Sequence, residues 1–467
     1  MWRRLKNQLP LAINMFDADA YIASLPNAIS KNEFRQRQSR LLSQLEDDEI
    51  LIITARKPST RSNDVEYPFR NSSDMLYLCG WNEPQSILFA HKKEGGWSVE
   101  LFVQPRNILM EIWHGRRPGI EGAVKNWPID EAHSIEDFRE ILSNVLAKSS
   151  KVYIRGGLDS TVDIMVKEAI EARDRPRQQL GNGPTAILDP SMMIAELRLR
   201  KSEAEIKLMR HACKVSSGAH IEAMRNSTEG IGEWQLQAII EGYFQWNGQS
   251  WAYPSIVGFG ENATILHYHQ NNCRCEGEGI VLIDAGSEFN GYAADITRSW
   301  PTNGCFTEAQ REIYELVLYA QKAAIEQCVV GNPFNAPHEA ARKALAEGLI
   351  NLGISEQSLE ESLAKDGDLG KWYMHNTGHW IGLDVHDVGI YSPNGEARLF
   401  EEGMVITVEP GLYFGAWRDD VSVPPKYANI GVRIEDDVLI TANEPDVLSK
   451  DCPKEIDELE AIIGSHS

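Results

Sequence analysis

One segment limits what this chain can fold into more than any other. It reads Val281-Leu-Ile-Asp284-Ala-Gly-Ser-Glu-Phe-Asn290-Gly291-Tyr-Ala-Ala-Asp295-Ile-Thr-Arg298. Asn-Gly between two strand-like runs is a strong signal for a two-residue β-hairpin, because both central residues need positive φ. With Asn290 and Gly291 as the turn, Phe289 faces Tyr292 and Gly286 faces Asp295. Strand side chains alternate, so Asp284 and Gly286 share a face. Asp284 and Asp295 are then diagonal neighbours, roughly 7–8 Å apart at the backbone. Two carboxylates so placed can converge on one ion. The apolar run Val281–Ile283 leading into Asp284 is also unusual for a solvent-facing acid.

Three more segments set acids or imidazoles beside apolar strands. His375, His379 and His386, three of the chain's twelve histidines, fall within twelve residues. Gly378, Gly382 and Gly389 argue against a regular helix there. Glu409 follows the apolar run Met404–Val408 and precedes Pro410-Gly411, a strand-ending turn. In Gly431-Val-Arg433-Ile-Glu435, Arg433 and Glu435 share one face, Val432 and Ile434 the other. Asp436 and Asp437 read as solvated, and Asp387 as structural. Any one strand-end acid is usually a turn or cap residue; the conjunction carries the reading. Two carboxylates about 4 Å apart repel by roughly 4 kcal/mol at an effective dielectric of 20. Four of them need compensation. Two divalent cations supply it, and hard oxygen donors with one imidazole suit Mn²⁺, Co²⁺ or Zn²⁺.

The rest of the chain bounds the function. Its 467 residues exceed one ordinary domain. Lys+Arg total 46 against 68 Asp+Glu, a net charge of −22, which argues against nucleic acid or an anionic membrane as partner. Seven scattered cysteines suit reduced thiols, and Cys273-Arg-Cys275 lacks zinc-ribbon spacing. No signal-peptide or membrane-helix run is present, so the expectation is a cytoplasmic protein. Residues 1–30 read as an N-terminal extension. Residues 31–190 mix strands such as Ile50–Thr54, Ser86–Ala90 and Lys151–Ile154 with helical runs, an α/β domain. A Gly/Pro-rich linker around Gly181–Pro184 precedes a long helical pattern from Glu196 to about Met224. Residues 191–467 then alternate helices, at about 231–247, 308–328 and 336–351, with Gly-punctuated strands. That pattern predicts an α+β domain with a curved antiparallel sheet.

These segments together resemble the pita-bread metallopeptidases, and within them the aminopeptidase P family. Asp284, Asp295, His379, Glu409 and Glu435 match the five metal-ligand positions in order. The likeness extends from about Lys31 to Glu458, through Thr60–Asp74, Gly80–Pro84, Glu111–Arg117 and Gly260–Tyr268. It implies a creatinase-like N-terminal domain and a catalytic C-terminal one. It implies a hydrolase that removes an N-terminal residue when proline stands second, through a hydroxide bridging two divalent metals, with manganese expected and Co²⁺ or Zn²⁺ as alternatives. An Xaa-Pro bond has no N–H and a fixed φ, which ordinary peptidases handle badly. By the same resemblance Glu409 is general base as well as ligand. His267 and His386 hold the substrate carbonyl, His375 lines the proline pocket, and Arg433 orients Tyr413. Trp113 reaches a neighbouring subunit's site and Asp64 joins an N-terminal-domain contact, so a homo-oligomer is expected. Asn376-Thr377, the extra His269 and the lone Arg398 depart from the pattern. Prolidase, restricted to dipeptides, is the nearest alternative reading. A non-catalytic binding protein on the same fold is a more distant one, since such proteins lose ligands.

Overall fold

The computed structural model describes residues 22–465, so most of the N-terminal extension lies outside the described residues. The chain divides into two compact units at the step from Arg198 to Leu199.

The first unit is built on a six-stranded mixed sheet. Its order is Glu131–Ser134, Gly96–Val103, Ile87–Lys93, Glu49–Thr54, Lys151–Ile154, Ala186–Leu188. Glu49–Thr54 is buried along its whole length, as a near-continuous apolar run must be when both faces are covered. It pairs antiparallel with Ile87–Lys93 and parallel with Lys151–Ile154. Ile50, Ile52, Phe89 and Phe102 meet Phe138, Leu142 and Val166 of the flanking helices in one core. Asp64 sits at the exposed tip of the hairpin Thr60–Ser62/Val65–Glu66, where neighbouring Asn63 takes a φ of 51°. Trp113 lies on the helix Ile108–His114, which buries none of its residues, and is 82% exposed.

The second unit packs long helices against short antiparallel strands. The helical pattern at Glu196–Met224 divides into two helices: Ser191–Leu199, which closes the first unit, and Glu203–Arg225, which belongs to the second. Ser202 restarts the helix: its side chain accepts from Glu205 N–H while the Glu205 carboxylate accepts from Ser202 N–H. Helices Glu233–Trp246, Glu308–Ile325 and Ala336–Asn351 follow the expected periodicities. The strands are Ile256–Phe259, Ile280–Asp284 and Thr297–Pro301 in one antiparallel set. Val405–Val408 pairs with Asp436–Leu439, and Gly411–Tyr413 with Gly431–Arg433. Val281, Ile283, Val432 and Ile434 enter the main core with Leu236, Ile313 and Leu345.

The hairpin forms as its turn chemistry predicts. Asn290 and Gly291 take φ of 50° and 87°, and Phe289 pairs with Tyr292. The same register continues to Asp284 opposite Thr297. The strand nevertheless stops over Ala294-Asp295-Ile296. Similarly, Ile434-Glu435 interrupts the run from Gly431 to Leu439. Asp284 ends its strand, and Glu409 follows Val408 directly, with Pro410 unable to donate to the ladder. Each of the four acids therefore sits where pairing ends, which frees its carboxylate to turn inward.

Among the described residues no helix is long and apolar enough to cross a membrane. All seven cysteines are free thiols. Asp436 and Asp437, expected to be solvated, are both fully buried. Asp436 accepts from Arg298 (2.7 Å), Gln321 (2.7 Å), Ser449 (2.6 Å) and Lys454 (2.6 Å). Arg298 and Gln321 lie 138 and 115 residues away and could not be read locally.

Candidate active site

The interrupted strands deliver their acids into one cavity of ≈ 640 Å³ within the second unit. Asp284, Asp295, His379, Glu409 and Glu435 all line it, as do His267, His375, His386 and Arg433. Tyr413 stands behind His375, joined to it and to Arg433. Asp64 and Trp113 belong to the first unit.

The donor atoms of Asp295, His379 and Glu435 lie within 4.8 Å of one another. His379 Nε2 is 3.5 Å from Asp295 and 3.8 Å from Glu409. Its Nδ1–H donates to the Trp380 carbonyl at 3.0 Å, leaving Nε2 to face the acids. Gly378 permits this placement: a Cβ there would lie 1.9 Å from the Thr407 carbonyl oxygen. His379 N–H then donates to Thr407 Oγ1 and Glu409 N–H to the Thr377 carbonyl, tying the loop to the strand that carries Glu409. Glu435 accepts from the Thr297 hydroxyl at 2.7 Å. Tyr253 donates to Asp284 at 2.6 Å and also contacts Asp295. Asp295 N–H donates to Asp437 (3.0 Å), a buried carboxyl that also accepts from Cys213 (3.2 Å).

Positive charge is scarce here. Arg433 donates to Asp284 (2.7 Å), Thr297 (3.1 Å) and Tyr413 (3.0 Å). Burial raises Asp284 above the usual carboxylate range, against the pull of Arg433. Burial and then the charges of Asp295 and Glu409 push Glu435 well above it. Burial lifts Glu409 to about 7 despite His379 and Arg433. Burial disfavours charge on His379, but its bond to Asp295 and the charge of Glu409 prevail and hold it at about 9. The carboxyls thus lack enough compensating positive charge from the protein itself. Three buried carboxylates and the half-buried Glu409, one correctly oriented imidazole and a shortage of positive charge fit divalent metal ions.

Burial disfavours charge on two histidines outside this set, His375 and His386. Burial and Arg433 bring His375 down to about 3. Arg433 donates to Tyr413, whose hydroxyl faces His375 Nε2 at 2.9 Å, and His375 Nδ1 faces the Asn376 carbonyl at 2.8 Å. Burial and His379 lower His386, whose ring lies edge-on to that of His379 at 4.3 Å. His267 lines the cavity with its ring 6.3 Å from that of His269.

Sequence reasoning missed Tyr253, Thr297, Asp437 and His338. Tyr253 is a loop aromatic with no motif around it. Thr297 stood inside the quoted hairpin, where its offset of two from Asp295 marked it as facing the same way.

This fold and donor set define a metallopeptidase. Residues 207–442 match the model of metallopeptidase family M24, and residues 34–153 match the aminopeptidase P N-terminal domain. The Xaa-Pro aminopeptidase of Haemophilus influenzae is 39% identical, over 95% of this chain and 99% of its own. A Pseudomonas aeruginosa aminopeptidase structure superposes with a TM-score of 0.89 at 38% identity, covering 94% of this chain and 99% of that one. Zinc-substituted Escherichia coli aminopeptidase P in complex with product gives 0.90 at 37%, covering 94% and 100%. The chain belongs to metallopeptidase family M24, in its aminopeptidase P branch. It has the two-domain architecture of that branch, with a pita-bread catalytic domain, and is a hydrolase of the exopeptidase type. Membership implies divalent metal ions.

Proposed function

We propose that this chain is an Xaa-Pro aminopeptidase that removes the first residue of peptides carrying proline second. The observation that carries the reading is the convergence of five donor side chains on one cavity where the protein itself supplies too little positive charge. Asp284, Asp295, His379, Glu409 and Glu435 hold two divalent ions, with Mn²⁺ expected. When bound, such ions polarise a carbonyl and make a water acidic enough to be a nucleophile at neutral pH.

The chain's own groups do the rest. Glu409 takes the proton of the attacking water and passes it to the leaving prolyl nitrogen. No substrate N–H is needed for that step, which suits the tertiary amide of an Xaa-Pro bond. His386 and His267 donate to the carbonyl oxygen as negative charge develops on it. His375 is held by Asn376 and Tyr413 and presents its ring as a wall for the prolyl ring. In a cytoplasmic homo-oligomer, Trp113 serves the substrate site of a neighbouring copy and Asp64 joins a contact of the N-terminal domain.

An assay with added Mn²⁺ across Xaa-Pro peptides of increasing length tests this. Turnover of tripeptides and longer peptides supports the reading. Turnover of dipeptides alone would make the chain a prolidase, and no release of the first residue from any of them would refute it.

A further inference from the structure

His338 lines the same cavity and has no role in the scheme above. It stands in the first turn of the helix Ala336–Asn351, where Pro337 fixes the backbone and Ala341, Leu345 and Leu349 anchor the helix in the interior. Its Nδ1 accepts the Thr377 backbone N–H at 3.2 Å and lies 2.9 Å from Thr377 Oγ1. A nitrogen that accepts an N–H carries no proton, so the neutral ring bears its proton on Nε2. The hydroxyls extend the same sense: Tyr373 OH contacts Thr377 Oγ1, whose own hydrogen is then directed to His338 Nδ1. No described residue accepts from Nε2, and that atom is not among the enclosed polar atoms left without a partner. It opens into the cavity. Burial favours the neutral ring, against Glu339 and alongside Arg342. Beside it the wall is apolar and stiff, with Phe334 packed on Trp380 at 4.7 Å and on Tyr391 at 4.5 Å. A fixed donor beside an apolar wall is the arrangement that orients a peptide by one main-chain oxygen.

We propose that His338 is a substrate-binding residue whose Nε2–H donates to an acceptor oxygen of the bound peptide, either a main-chain carbonyl or the terminal carboxylate. This rests on the peptidase reading above. His338 touches none of the five metal donors, so its effect falls on KM rather than on metal binding or the chemical step.

The test compares His338→Leu with His338→Gln. Both remove the Nδ1 acceptor, but only Gln keeps a terminal N–H near the Nε2 position. KM and kcat are measured on the metal-loaded enzyme with an Xaa-Pro dipeptide, a tripeptide and its C-terminal amide. The Leu variant is expected to raise KM about five- to tenfold on at least one of these, with kcat within about threefold and metal content unchanged. The Gln variant is expected to recover most of that loss. An effect lost on amidation identifies the carboxylate as acceptor, and an effect kept on amidation identifies a carbonyl. Wild-type KM for the Leu variant on all three peptides, or equal loss in Leu and Gln, overturns the assignment. If the Leu variant does not fold, by its thermal transition, His338→Phe replaces it under the same criteria. A wild-type enzyme inactive on every peptide overturns the function itself, which an active enzyme with unchanged variants does not.

Discussion

Among the described residues, two clusters bring three ligand-type side chains within one ion's reach, and they behave oppositely. In the first unit Glu100, Glu131 and His133 meet; in the second, Asp295, His379 and Glu435 meet. Around Glu100 the protein provides its own cations and donors. Lys93 lies 2.7 Å away, His91 2.9 Å and His133 3.0 Å, and Ser98 donates at 3.1 Å. Burial alone would raise Glu100, but the bonds to His91 and Lys93 prevail and bring it down to about 2. Around Glu435 burial and the charges of Asp295, Glu409 and Asp284 outweigh Arg433, and its carboxyl is driven well above its ordinary range. Proximity of donors is therefore common to a finished ion network and an ion-binding site. The sign of the shift separates them, because it reports whether the fold has already balanced the charge.

The largest expected effect lies on the unbalanced side. Glu409→Gln keeps the shape of the side chain but cannot take a proton and is a weaker ligand, so kcat should fall about 10²–10⁴-fold even when added metal is saturating. Steady-state kinetics beside elemental analysis checks this, and a variant with bound metal and near-normal kcat would end the general-base role.

On the balanced side the effect is on stability. Glu100 has a folded pKa of about 2 against an unfolded value near 4.5. A depressed carboxylate stabilises the fold above the unfolded pKa, and the stabilisation fades as pH falls through the folded one. Glu100→Gln should therefore cost the first unit about 2–3 kcal/mol at pH 7, a penalty that shrinks between pH 4.5 and 2. Calorimetric transitions recorded across that range test the sign, and a penalty independent of pH would assign it to packing. Metal content should be unchanged in this variant.

Tyr253→Phe probes the link between fold and metal. The hydroxyl that joins Asp284 and Asp295 is lost while the ring stays. Metal affinity should fall about 10- to 100-fold, read by titration calorimetry. Unaltered affinity would show that Arg433 and the strand ends orient the two acids unaided.

How far these features were legible follows from how local they are. The hairpin at Asn290-Gly291 and the apolar strands running into Asp284 and Glu409 are short-range patterns, and the structure keeps their register. Glu435, Asp436 and Asp437 stand side by side in one strand-like run, yet one faces the cavity, one is paired with Arg298 and Lys454, and one holds Asp295 N–H. Arg298 is 138 residues from Asp436, so no window could separate these three. Tyr253 and His338 were illegible for the same reason: the partners that give them meaning arrive only in the folded chain. The break at Ser202 is different, since the capping pair Ser202 and Glu205 was present in the sequence and was outweighed by a long periodic pattern.

The smallest effect on stability is expected at Trp113. Its helix buries nothing, and Ile108, Leu109 and Ile112 beside it are 75%, 73% and 72% exposed. A side chain this exposed contributes little to the stability of its own chain, so Trp113→Ala should shift the thermal transition of the first unit by less than about 0.5 kcal/mol equivalent. Such a run of exposed apolar side chains is nevertheless what an interface would cover. If Trp113 serves a contact between copies, the same variant should lower the mass measured by sedimentation and depress activity, with no loss of metal. Lower stability at unchanged mass would instead mean that Trp113 packs within its own chain in solution. Glu100 and Trp113 then mark opposite limits within one unit, the first spent on internal balance and the second left for contact outside the fold.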